Sequence, residues 1–389
     1  MNPNPLLQLT DAGLYCEPGD FFIDPWKRVD RAVITHAHSD HARRGCESYL
    51  TSDPGSHPLR LRMGADAIVQ SIAYGHTVRM RDVSVSLHPA GHVLGSSQIR
   101  IERSGYVAVV SGDYKIDADP TCAAFESVKC HLFISESTFG LPIYRWPKST
   151  DVFASIDAWR LENQAAGKAS LLLAYSLGKA QRILASVDPT IGPIFAHGAI
   201  EAMNRAYRSA GVELPEIASP GSASNNFDWS RALIVAPPSA WGSPWVKRFG
   251  AVSAAVASGW MTIRGTRRRR GVDRGFVISD HADWPGLLGA IEATGATEVW
   301  VTHGYSAVVA RLLRERGIDA RIVSTRFEGE RMDSTDDEPA SEEEEAAAAS
   351  ERSAIAINRS RGSTGNDALR APNDESKSTI RNNDQGLFE

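Results

Sequence analysis

Thr35-His36-Ala37-His38-Ser39-Asp40-His41 follows directly on Ala32-Val33-Ile34-Thr35, an apolar, β-branched run that reads as a strand. Three histidines and an aspartate within six positions at a strand's carboxyl end are too polar a group to serve as core. Neutral imidazole and carboxylate together suit zinc, manganese or iron. Histidines two apart converge on one ion as the chain turns out of the strand. Asp40 and His41 then continue around that turn and face a second ion.

The same grammar recurs along the chain. The predicted strand Val83 to Leu87 runs into His88-Pro89-Ala90-Gly91-His92-Val93-Leu94-Gly95, and Tyr106 to Val110 into Ser111-Gly112-Asp113-Tyr114. Leu132 to Ile134 ends in Ser135-Glu136-Ser137-Thr138, Phe276 to Ile278 in Ser279-Asp280-His281-Ala282-Asp283, and Val299 to Thr302 in His303-Gly304. Functional groups of α/β proteins gather at such strand ends. Leu171 to Ala174 and Leu233 to Ala236 are further strands. Helices are predicted over Ala65–Tyr74, Val152–Ala166, Ala199–Ala210 and Ser306–Arg316, each stopped by the glycine that follows.

Composition narrows the class. With 389 residues, 42% hydrophobic and 23% charged, the chain has material for a large core or two domains. No apolar run approaches the ~18 residues of a membrane span. The start lacks a basic n-region and an apolar h-region, so a cytoplasmic protein is expected. The four cysteines, with no C-x-x-C pair, fit reduced thiols there. The net charge of -5 is unevenly distributed: 331–389 holds 14 acidic and 7 basic residues, leaving 33 acidic and 35 basic in the body. A negative total is therefore no argument against a nucleic-acid partner. The composition of 331–389 predicts a disordered acidic tail.

In their order and spacing these motifs resemble the metallo-β-lactamase superfamily, and within it the nucleic-acid-processing β-CASP branch. The match runs from T-H-A-H-S-D-H through G-H, S-G-D, S-E-S-T and S-D-H-A-D to V-T-H-G, essentially the whole chain before the tail. Gly13-Leu14-Tyr15-Cys16, Asp24-Pro25-Trp26 and Phe139-Gly140-Leu141-Pro142 look most like the bacterial DNA ligase-associated exonucleases. The resemblance implies an α/β fold. An αββα sandwich of 1–145 and 252–330 would carry a β-CASP insertion, 146–251, between two Pro/Gly/Trp-rich stretches. It implies two divalent metal ions, zinc or manganese: His36, His38 and His92 on the first, Asp40, His41 and His303 on the second, and Asp113 bridging. Asp24 would orient a ligand histidine, or else cap the turn before Pro25.

Glu136 and His281 would form the branch's acid–histidine pair, with His281 donating a proton to the leaving oxygen. The branch often has aspartate where this chain has Glu136. Substrate contacts are expected at Ser176 and Lys179, where a strand gives way to a helix start, at Ser279, and at Arg267 and Arg268 in an arginine run. The implied function is a two-metal nuclease trimming DNA ends together with a DNA ligase and a helicase, with no membrane partner. The alternatives are an RNA-processing nuclease, a small-molecule hydrolase sharing the metal motif, and an inactive end-binding scaffold.

Overall fold

The computed structural model describes residues 6–224, 226–263 and 271–324. The expected tail at 331–389 and the arginines at 267 and 268 lie outside them. The described residues form three sheets and six α-helices.

The first sheet takes its strands in chain order: β1 (Gln8–Thr10), β2 (Gly13–Cys16), β3 (Phe21–Ile23), β4 (Arg31–Val33), β5 (Ser48–Ser52) and β6 (Val69–Ile72). Helix α1 (Asp53–Met63) lies between β5 and β6. The second sheet begins with β7 (Thr77–Met80), β8 (Val83–Pro89), β9 (Ser97–Arg103) and β10 (Tyr106–Val110), an antiparallel meander. Three parallel strands complete it, β11 (Leu132–Ser135), β17 (Glu298–Val301) and β18 (Asp319–Ile322).

The two sheets face each other across one core. Ile23, Val33 and Leu50 from the first pack with Val85, Ile99, Ala108 and Val110 from the second. On the same strand Val107 and Val109 point the other way, to a core closed by helices Trp284–Thr294 and Ser306–Glu315. The period-two alternation thus buries both faces of β10, as expected of a sheet covered on both sides. Ala32, Ile34 and Tyr49 turn outward onto α1. This is an αββα sandwich.

Between β11 and β17 the chain builds the third sheet, of five parallel strands in the order β13 (Ile194–Ala196), β14 (Leu233–Ala236), β12 (Ala169–Leu173), β15 (Val252–Ala257) and β16 (Arg274–Phe276). Helix α2 (Ser149–Ala165) leads into β12, and helices α3 (Lys179–Ser186) and α4 (Gly198–Ser209) supply the crossovers from β12 to β13 and from β13 to β14. The boundary expected at 251 cuts this sheet: the all-apolar run Val252–Ala257 pairs along Ala169–Leu173, and β16 follows it.

The helix expected at Ala65–Tyr74 is not present. The helix ends at Met63 with Gly64 as its cap, and Val69–Ile72 is a strand parallel to β5. Ser52 starts that helix by accepting from the Gly55 amide at 3.2 Å, and Pro54 sits in its first turn. Strand β16 ends at Phe276, two residues before the expected limit.

Candidate metal centre

The loops after β4, β8 and β10 bring His36, His38, His92 and Asp113 together, with one donor atom from each lying within 4.8 Å of the others. Asp113 is central. Its Oδ2 lies 3.6 Å from His36 Nε2, 3.4 Å from His41 Nε2 and 3.8 Å from His92 Nε2. His41 Nε2 is also 3.7 Å from Asp40 Oδ2. His303 joins from β17, its ring centroid 5.7 Å from that of His41. Gly112 brings the Asp113 strand against this loop: its φ is +56°, and a Cβ there would stand 2.6 Å from Thr35 Cβ.

Each histidine points one ring nitrogen inward and anchors the other. His36 Nδ1 lies 3.1 Å from Thr35 Oγ1, and His303 Nδ1 3.1 Å from Thr302 Oγ1. His41 Nδ1 donates to Asp24 Oδ2 at 2.7 Å, while the other Asp24 oxygen accepts from the Thr35 amide at 2.8 Å. His92 Nδ1 donates to the Asp280 carbonyl at 2.7 Å, leaving Nε2 at 3.1 Å from His38 Nδ1. His38 Nε2 in turn donates to the Leu177 carbonyl at 3.1 Å. Anchored second nitrogens of this kind fix tautomer and ring orientation around a metal. Asp24 and His303 hold this geometry at φ of 41° and 53°, left-handed values uncommon outside glycine.

The donor set fits divalent metal. Nε2 of His36 and of His303 are buried without a hydrogen-bond partner, an unfavourable state that a metal would relieve. Burial, then mutual repulsion with His41 and His92, pushes the His36 imidazole well below its usual range. Burial and His281 do the same for His92. Both imidazoles are therefore held neutral, the form in which a ring nitrogen can take a metal. Asp113 is buried, which opposes ionisation, yet His41 and His281 hold its carboxyl well below the carboxylate range. Burial also opposes charge on His41, but Asp113, Asp40 and Asp24 outweigh it and raise that imidazole well above its usual range.

Glu136 and His281 are buried beside the cluster. His281 Nδ1 lies 2.9 Å from both Glu136 oxygens. Glu136 also accepts from the Tyr114 amide at 2.8 Å and from Thr138 Oγ1 at 2.5 Å. The longer glutamate is accommodated because three donors share its two oxygens. The donor atoms of Asp113, Glu136 and His281 fall within 4.8 Å of one another, and the His281 and His92 rings are 4.7 Å apart.

The expected substrate contacts are placed differently. Lys179 is only 1% exposed; its ammonium stands 3.7 Å from Asp280 Oδ2 and 4.6 Å above the Tyr175 ring. It is committed to the interior and not presented to a groove. Ser279 accepts from the His281 amide at 3.1 Å, so it shapes the turn that carries His281. Ser176 Oγ is buried without a hydrogen-bond partner. The roles of Thr35, Thr138 and Asp280 are invisible as motif positions, although all three lie inside the quoted motifs. The Leu177 carbonyl carries no side-chain signal at all.

No protein-family model matches the chain. It is 31% identical over 313 residues to a Probable DNA ligase of Opitutus terrae, covering 79% of this chain and 30% of that protein. It is 30% identical over 176 residues to Endoribonuclease YSH1 of Gibberella zeae, covering 43% of this chain and 20% of that one. The chain thus spans less than a third of either relative. Among solved structures, a protein of unknown function from Enterococcus faecalis superposes with a TM-score of 0.50 at 12% identity, covering 77% of this chain and 80% of that one, a likeness of fold alone. With the cluster's geometry and these relatives together, the chain belongs to the metallo-β-lactamase superfamily, in its β-CASP branch.

Proposed function

We propose that this protein is a two-metal phosphodiesterase that hydrolyses nucleic acid, trimming DNA from an end in the cytoplasm, in concert with a DNA ligase and a helicase. The observation that carries it is the juxtaposition of the Asp113-centred cluster with the buried Glu136–His281 pair. His36, His38 and His92 would hold one ion, Asp40, His41 and His303 the other, and Asp113 both. Two such ions, zinc or manganese, would act as Lewis acids on the phosphodiester and make an attacking water more acidic. Glu136 fixes the His281 ring so that it can hand a proton to the leaving oxygen. Asp24 and Thr35 keep His41 and His36 turned inward.

DNA is favoured by the likeness to the protein named a DNA ligase and by the ligase-associated motifs. RNA is the second reading, favoured by the likeness to a protein named an endoribonuclease. We take the five-stranded sheet and its helices, within 146–276, as the β-CASP insertion. Matched single-stranded DNA and RNA, labelled at either end, decide the substrate when digested by metal-stripped protein resupplied with manganese or zinc. End-initiated loss of DNA that Asp113→Ala abolishes is the expected result. Preferential RNA cleavage selects the second reading, and cleavage of neither refutes both.

A further inference from the structure

Two of the cluster's histidines are anchored by carbonyls from far along the chain: His38 by Leu177, 139 residues away, and His92 by Asp280, 188 residues away. Both carbonyls flank the five-stranded sheet, Leu177 after β12 and Asp280 after β16. Four further contacts converge on the same place. Leu94, in the His92 loop, donates its amide to the Tyr207 hydroxyl of α4 at 3.2 Å. Gly178 has φ of +92°, and a Cβ there would stand 2.3 Å from Val93 Cγ1, so only glycine lets the turn approach that loop. Helix α3 then holds the 279–280 segment twice: Lys179 Nζ is 3.7 Å from Asp280 Oδ2, and Arg182 Nη1 donates to the Ser279 carbonyl at 2.7 Å.

We propose that the turn and helix start from Leu177 to Arg182 is a positioning device for one metal only, with Lys179 and Asp280 as its key pair. Lys179 fixes the Asp280 side chain, which aims the Asp280 carbonyl at His92 Nδ1. The same turn presents the Leu177 carbonyl to His38. The second metal's histidines, His41 and His303, are anchored instead by Asp24 and Thr302 of the sandwich. A displacement of the five-stranded unit, such as a bound nucleic-acid strand would cause, therefore changes the first metal's affinity and leaves the second's unchanged. This rests on the two-metal reading but not on nuclease activity.

The test is chelator-competition titration of zinc into the full-length protein, resolving two equivalents per chain, with cobalt absorption as a second record of each site. Lys179→Met is expected to weaken one equivalent by about 10- to 100-fold and leave the other unchanged. Asp24→Asn should weaken the opposite equivalent. Tyr207→Phe, which deletes one hydroxyl against the His92 loop, should weaken the same equivalent as Lys179→Met by a few-fold, and it decides the matter if Lys179→Met does not fold. Equal weakening of both equivalents, or of neither, overturns the proposal. A parent protein that binds no zinc overturns the two-metal reading with it, whereas two bound zincs without site selectivity sink this inference alone.

Discussion

The two halves of the cluster are built in different ways. His36, His41 and His303 take their orientation from Thr35, Asp24 and Thr302, all within the sandwich and all within 17 residues of their partners. His38 and His92 take theirs from backbone carbonyls that arrive with a separate sheet. One half is complete once the sandwich folds. The other is complete only when the five-stranded sheet has formed and its α3 turn has closed against the His92 loop. Two histidines proposed for the first ion are thus anchored from the five-stranded sheet, and neither histidine proposed for the second ion is.

The severest break of this comparison removes what the halves share. Asp113→Ala takes away the carboxylate between them, and we expect metal content to fall from two per chain to near zero. Hydrolysis should fall on the order of 10⁴-fold, measured by elemental analysis and single-turnover digestion. Next, His281→Ala should slow hydrolysis by about 10²-fold with both metals retained, separating proton transfer from metal holding. If that variant also loses metal, the Glu136–His281 pair belongs to the cluster and not beside it. Asp24→Asn sharpens the contrast on the sandwich side: the amide oxygen still accepts, but without charge, and zinc affinity at one site should drop roughly tenfold.

The gentlest test is acidification of the metal-free protein. Folded His36, His38, His92 and His303 resist protonation, all with burial as the leading cause. Their unfolded counterparts charge near pH 6.5. The unfolded state therefore binds more protons as pH falls through that value, and stability declines. His41 acts in the opposite sense, being already charged when folded, but it is one group against four. The urea midpoint should fall between pH 7.5 and 5.5; an unchanged or rising midpoint would mean that the four imidazoles take up protons without unfolding.

What the sequence made legible follows the same division. Side-chain ligands were readable because histidine and aspartate crowd strand ends where packing has no use for them. Their anchors on the sandwich side were partly readable, since Asp24 has a side chain fit for the role. The anchors on the other side were not, because every residue has a carbonyl and nothing in Leu177 marks its own. Lys179 shows the converse error. A lysine at a helix start resembles a phosphate contact, and only the fold reveals that Asp280 and Tyr175 enclose it. Helix α1 escaped notice because Pro54, Gly55 and Pro58 disguise it, whereas Ala65–Tyr74 has helical spacing but contributes a strand that β5 can pair.

The left-handed backbone at Asp24 and His303 has a consequence for anyone engineering this protein. A non-glycine residue in that region costs roughly 1–2 kcal/mol, and glycine at either position would regain part of it. A library screened for heat resistance alone, without metal in the medium, would therefore enrich substitutions at His303, whereas the three hydrogen bonds that Asp24 accepts outweigh its strain. Thermostable descendants would be selected toward inactivity unless metal is present throughout the screen.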